Sequence, residues 1–199
     1  MADSKITALT ELSAIPEDTD LVAIVDDPSG TPTTKKITVQ NLKTMPMIVL
    51  KKSSTVNQDV GGANGTETWI TWDGEDLKDS NYTHSTSTNS ERVTVAVAGW
   101  YEIIFLLGAQ TTGSSRTTLQ GIYRVNGGTT SRGGGLRNYT RGSTYGNMTT
   151  GILYTLQLSA SDYIEVGTRV EDTDGTYTIN TSGGEISDDC HQLVIKKVR

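Results

Sequence analysis

The sequence predicts an all-β protein, and three observations carry that prediction. Thr, Val, Ile, Tyr and Trp recur along the chain, residue types that fit a pleated, half-buried surface. Glycine punctuates it, with 21 Gly against only 4 Pro. No segment longer than one turn repeats its apolar residues every 3.6 positions, whereas many short segments alternate with period two between turn signals. With 199 residues, 34% hydrophobic and 20% charged, the composition is that of a folded chain: one domain, or one domain with an appendage.

The first strand pair lies near the start. "DLVAIVDD" from Asp20 alternates into an apolar run, "KKITV" from Lys35 answers it, and "DDPSGTPTT" between them supplies turn geometry. Leu21, Val22, Ile24, Val25, Ile37 and Val39 are its apolar side chains. A two-stranded hairpin is marginal alone in water. Ile6, Leu9 and Leu12, and one helical turn in "VQNLK", add little to it. Residues 1–46 are therefore expected to be an anchoring segment completed by another protein. Free strand edges and aliphatic packing would provide the contact.

Residues 47–199 are expected to form one head domain, long enough to bury a core. "MIVLKK" and "ETWITWDGED" read as strands joined by the Gly/Asn-rich "NQDVGGANGT", and "DSNYTHSTSTNS" as a polar loop. "RVTVAV" alternates strictly, and "GWYEIIFLL" reads as a buried strand opened by Gly99. "TLQGIYRVNGGTT" carries the Asn-Gly signal of a tight hairpin turn. "GILYTLQL", "DYIEVGTRV", "TYTINT" and "HQLVIKKV" complete the set. Strands this short and regularly spaced predict an antiparallel sandwich or barrel.

Net charge is −6, unevenly spread. Between Glu102 and Asp162 the only charged residues are Arg116, Arg124, Arg132, Arg137 and Arg141; from Asp162 to Asp189 eight acids face one Arg169. "RVNGGTTSRGGGLRNYTRGSTYG" reads as an exposed stretch. Tyr139, Arg141 and Tyr145 are its candidates for touching a glycan or phosphate. The favoured alternative is that Arg132 and Arg137 meet the acidic block of a neighbouring subunit. The acidic total and the lack of a basic-face motif argue against nucleic acid. Tyr123, Tyr154 and Tyr163 are either ordinary core aromatics or, for Tyr123 and Tyr154 above all, part of a subunit interface where Tyr offers apolar area and a polar tip.

Catalytic chemistry is sparse. His84 lies in the Ser/Thr loop and His191 beside the single Cys190. Strand neighbours face opposite ways, so an inward Cys190 sets His191 outward. "EDTDG" from Glu171 fails the calcium-loop register: with Asp172 first, the places for Gly and Glu hold Tyr177 and Gly183. No enzyme, metal or cofactor is expected. The opening residues carry no secretory signal. The longest apolar stretch, Ile103 to Leu107, is far short of the roughly 20 residues that span a bilayer. Synthesis in a reducing cytoplasm without membrane insertion is expected.

Two resemblances sharpen this. "ITWDGEDLKDSNYT…NSERVTVAVAGWYEIIFLL", with Gly99, Tyr101, Ile103 and Phe105, resembles the first half of the jelly roll shared by complement globular heads and tumour-necrosis-factor-like proteins. "TLQLSASDYIEV", with Leu156, Leu158, Asp162, Ile164 and Val166, resembles the second half, though Ser161 stands where that family usually has Gly. This resemblance implies a C-terminal antiparallel jelly-roll β-sandwich and a homotrimer. "KITALTEL…DLVAIVDDPSGTPTTKKITVQNL" resembles the N-terminal attachment segments of bacteriophage fibre and decoration proteins. That implies a small N-terminal β-hairpin anchor docking on a major capsid protein or another virion structural protein. No repeat-built shaft is present, which favours a head fibre or capsid decoration protein on the capsid surface. The alternative is a tail-fibre or lectin-like receptor-binding module for host glycan.

Overall fold

A computed structural model describes residues 17, 19–26, 33–39, 45–52, 58–112, 116–141, 145–173, 179–180 and 191–199. The chain divides into two compact units, Met1–Met45 and Pro46–Arg199.

In the first unit, β1 (Leu21–Asp26) and β2 (Thr33–Thr38) pair antiparallel, Leu21 opposite Thr38 and Val22 opposite Ile37. The Val39 N–H extends the ladder to the Asp20 carbonyl at 2.8 Å. Val22, Ile37 and Val39 therefore share one side of the ribbon, and Leu21 and Ala23 the other, since side chains alternate along a strand. The register sets Ile24 against Lys35 and Val25 against Thr34. The hairpin's apolar residues are thus divided between its two sides. Leu21 and Ala23 are exposed, Val22 and Ile37 half-buried, and Val39 buried. The turn tip and most of "VQNLK" lie outside the described residues.

The second unit contains β3 (Met47–Lys51), β4 (Glu67–Trp69), β5 (Gly74–Lys78), β6 (Tyr82–Thr83), β7 (Arg92–Val95), β8 (Gly99–Thr112), β9 (Arg116–Val125), β10 (Gly135–Arg141), β11 (Tyr145–Leu158), β12 (Tyr163–Thr173), β13 (Ile179–Asn180) and β14 (His191–Lys197). One layer runs β5-β3-β14-β8-β11 and the other β10-β9-β12-β7-β6. Taken in chain order, the eight strands β3, β7, β8, β9, β10, β11, β12 and β14 pair first with last and so on inward: β3 with β14, β7 with β12, β8 with β11, β9 with β10. That nested antiparallel winding is a jelly roll.

The core lies between the layers. Ile48 and Leu50 of β3, and Tyr101, Ile103, Phe105 and Leu107 of β8, meet Val93, Val95, Ile164 and Val166 from the other layer. Trp72 packs edge-on to Phe105, ring centroids 5.9 Å apart.

Three expectations need correcting. "GWYEIIFLL" is buried on one face only, because β8 is a layer strand whose second face no other layer covers. "ETWITWDGED" divides into β4 and β5: Ile70 and Trp72 between them are buried and bond singly to Val166 and Ser90 carbonyls. The stretch expected to be exposed includes strand over Gly135–Arg141 and from Tyr145: Tyr139 and Arg141 lie on β10 and Tyr145 opens β11.

The Asn-Gly turn forms as its residues require. Asn126 (φ 53°) and Gly127 (φ 65°) are both left-handed, and the Gly128 N–H closes on the Val125 carbonyl at 2.9 Å, the arrangement of a type I′ turn. β10 then crosses between layers: Gly135 and Leu136 pair with β11, and Arg137 to Arg141 with β9. A Cβ on Gly121 or Gly135 would strike a neighbouring backbone carbonyl, which is why glycine occupies this crossing.

Ser161 is the opposite case. Its φ is 71°, the conformation glycine adopts freely, and its N–H bonds the Val95 carbonyl at 2.8 Å, tying the β11–β12 turn to β7. Left-handed backbone costs a non-glycine residue about 1–2 kcal/mol, offset in part by the greater unfolded-state entropy of glycine. Ser161→Gly is expected to stabilise the head by a few tenths to about 1 kcal/mol, read as a small rise in the urea midpoint at unchanged slope.

Candidate functional site

The charged residues concentrate on the outer side of the β7–β12–β9 layer. Register places Arg92, Glu165 and Arg124 in one row across three strands. The Glu165 side chain is fully buried, bonded by Arg124 Nε and Nη2 and, at 3.2 Å, by Arg92 Nε. Arg124 lies over the Trp69 ring at 4.2 Å and Arg92 over Tyr163 at 4.6 Å. Burial pushes the Glu165 carboxyl up, but the hydrogen bonds and charges of Arg124 and Arg92 outweigh it and hold the group below the usual carboxylate range. A second cluster joins Arg132 and Arg169 to Glu171 (3.0 and 2.9 Å), with Arg169 also on Glu67 at 2.9 Å. Two arginines of the basic block, Arg124 and Arg132, thus find their acids within the same chain. Sequence alone could not assign these partners, because they lie 41 and 39 residues away and meet only through strand register.

Of the other sequence candidates, Tyr123 lies in the core with its ring 5.2 Å from Tyr154, which is itself partly exposed at the layer edge. Arg137 and Tyr139 are exposed on β10. Cys190 lies outside the described residues, and so does most of "EDTDG" beyond Thr173. His191 is buried rather than outward: as the first residue of β14 it shares the inward side with Leu193 and Ile195. Among the described residues no group of three or more His, Cys, Asp or Glu is placed to hold a metal ion.

The other layer carries a feature that periodicity did not announce. Register aligns Leu77 of β5, Val49 of β3, Val194 of β14, Ile104 of β8 and Leu153 of β11 in a single row across five strands. Val49, Val194, Ile104 and Leu153 each follow or precede a buried core residue and so point away from the core, and Leu77 shares their side through its pairing with Val49. Leu153 is 61% and Leu77 48% exposed. Leu106 extends the patch beside Ile104, and Leu136 faces it across Gly151. Exposed Trp100 and Val198 lie further along β8 and at the end of β14. Contiguous apolar surface of this kind marks an interaction site.

A polar recess of about 250 Å³ opens at the edge of the charged layer, lined by Thr83, His84, Ser85, Thr88, Asn89, Arg92, Thr94 and Tyr163. Thr83, Thr94 and Tyr163 are in register across β6, β7 and β12. The buried His84 ring anchors its floor, with Nδ1 2.9 Å from Glu75 Oε1 and Nε2 3.1 Å from the Ser90 carbonyl. Lys78 also donates to Glu75 at 2.7 Å. That bond, ahead of the opposing effect of burial and the further bond from His84, holds the Glu75 carboxyl below its ordinary range.

No protein-family model matches the chain, and no curated protein matches it. Among solved structures, murine APRIL at pH 8.0 is similar at 13% identity, covering 78% of this chain and 100% of that one with a TM-score of 0.47. Murine APRIL at pH 5.0 is similar at 12% identity with the same coverage and a TM-score of 0.48. The jelly-roll assignment rests on the strand order.

Proposed function

We propose that the chain is a non-enzymatic virion structural protein of a bacteriophage: a homotrimeric head fibre or capsid decoration protein whose N-terminal hairpin anchors the β-sandwich head. The aliphatic row Leu77–Val49–Val194–Ile104–Leu153 is the observation that carries the assembly half. Burying one aliphatic side chain contributes roughly 1.5–3 kcal/mol, so a face bearing several exposed Leu side chains is stabilised by meeting copies of itself. The number three comes from the jelly-roll resemblance. The virion half rests on the resemblance of residues 5–42 to phage attachment segments and is supported by a separate two-stranded sheet, β1-β2, with Leu21 58% exposed.

The test has two arms. Light scattering on the full chain should give three times 21.4 kDa, and a monomer at micromolar concentration would overturn the assembly. Removing residues 1–45 should leave a folded head, Pro46–Arg199, that keeps its oligomeric state but no longer joins particles. Val22→Asp with Ile24→Asp in the full chain should do the same. Full occupancy of particles by the truncated head would assign attachment to the jelly roll. The second reading, a lectin-like module contacting host glycan, is favoured by one observation, the polar recess beside Arg92 and Tyr163.

A further inference from the structure

We infer that this recess is a binding site for a single neutral sugar ring. It deepens the host-contact reading but depends neither on trimer assembly nor on the anchor, because all eight lining residues come from one layer edge of one chain. Its chemistry is unspent. Among the described residues, the side chains of Thr83, Thr88, Asn89 and Thr94 make no hydrogen bond to the protein, and Arg92 uses only Nε, on Glu165 and Glu91, leaving both Nη groups available. Three hydroxyls, one carboxamide and a planar donor fork thus converge on a small volume, with the Tyr163 ring as its apolar wall. Hydroxyls and carboxamides both donate and accept, which is what a ring of alternating hydroxyl groups requires.

The site is built rather than accidental. Asn89, one of the lining residues, is held in the left-handed region at φ 49°. Ser85 Oγ accepts the Thr88 N–H at 3.2 Å and lies 3.3 Å from Ser87 Oγ, fixing the loop that carries Thr88. The His84 ring pins the same loop to β5 and to Ser90. Size and charge choose the ligand. About 250 Å³ falls below the roughly 300–1,000 Å³ of drug-sized pockets, which suits one ring. Arg92 is neutralised by Glu165 and Glu91, the latter 3.3 Å away, so a neutral ligand is preferred over an acidic sugar.

Saturation-transfer NMR on the full chain, with methyl glucoside, methyl galactoside and N-acetylglucosamine as neutral probes and N-acetylneuraminic acid as the acidic one, tests this. At least one neutral sugar should bind, with millimolar affinity. Asn89→Gly, which retains the left-handed backbone, combined with Thr94→Val, which retains the strand and shape, should weaken it about tenfold or more through loss of polar contacts, at an unchanged melting midpoint. Silence from all three neutral sugars at high millimolar concentration would overturn the proposal. So would binding confined to N-acetylneuraminic acid, or binding that the double variant leaves intact. An intact trimer that binds no sugar would remove this inference alone, and a monomer that binds sugar would remove the assembly alone.

Discussion

Leu106→Asp with Leu153→Asp is expected to turn the proposed trimer into a folded monomer. The two side chains are 42% and 61% exposed, so aspartate at either position stays solvated in the isolated head and the core is untouched. In an assembly each carboxylate would be buried against aliphatic side chains without a partner, and every subunit would carry two. An uncompensated buried charge costs several kcal/mol after relaxation, and the apolar gain of the two half-exposed leucines, about half of the roughly 1.5–3 kcal/mol of full burial each, is lost as well. Light scattering should fall to 21.4 kDa while far-ultraviolet circular dichroism keeps its strand signature. An unchanged mass would move the subunit interface off this face and leave the Leu77-to-Leu153 row without its assigned role.

Glu165→Gln should be the most damaging single isosteric change in the head. The carboxylate is fully buried and serves two guanidiniums, whose side chains are 25% and 36% exposed. Removing one partner of a fully buried pair costs about 3–5 kcal/mol; because both arginines reach solvent, roughly 2–4 kcal/mol is expected here. The pH dependence follows from direction. The folded-state carboxyl is held below its ordinary value of 4.5, so its stabilisation is fully present above that value and is lost as pH falls through the lower folded value. The gap in denaturant midpoint between wild type and Glu165→Gln should therefore be widest near neutrality and narrow on acidification below about pH 4.5. A gap that held constant down to pH 2 would mean that Glu165 acts through shape and not through charge.

The strands were legible wherever one face alone was buried. "RVTVAV" and "HQLVIKKV" announce themselves because alternation along the chain reports burial on one side. Asn126-Gly127 was legible because left-handed backbone at two successive positions leaves few residue choices. β10 was not. "GLRNYTR" has no apolar alternation, since its pairing comes from the crossing between layers, and the glycines that permit it read as loop. The recess was equally hidden: Thr83, Asn89, Thr94 and Tyr163 are ordinary in sequence and become neighbours only when β6, β7 and β12 align.

By itself the sequence determined an all-β chain, a hairpin set apart before Met45-Pro46-Met47, and two blocks of opposite charge, because composition, periodicity and turn chemistry are local properties. Tertiary structure alone decided which charges meet and which apolar residues stay outside. Arg124 and Arg132 find Glu165 and Glu171 in the same subunit, where sequence left the partner open to a neighbour. Val49, Ile104, Leu153 and Val194, indistinguishable in sequence from core residues, line up on the solvent side. The reason is that a strand's period of two fixes that its faces differ, while only the pairing of one strand with the next fixes which face is covered.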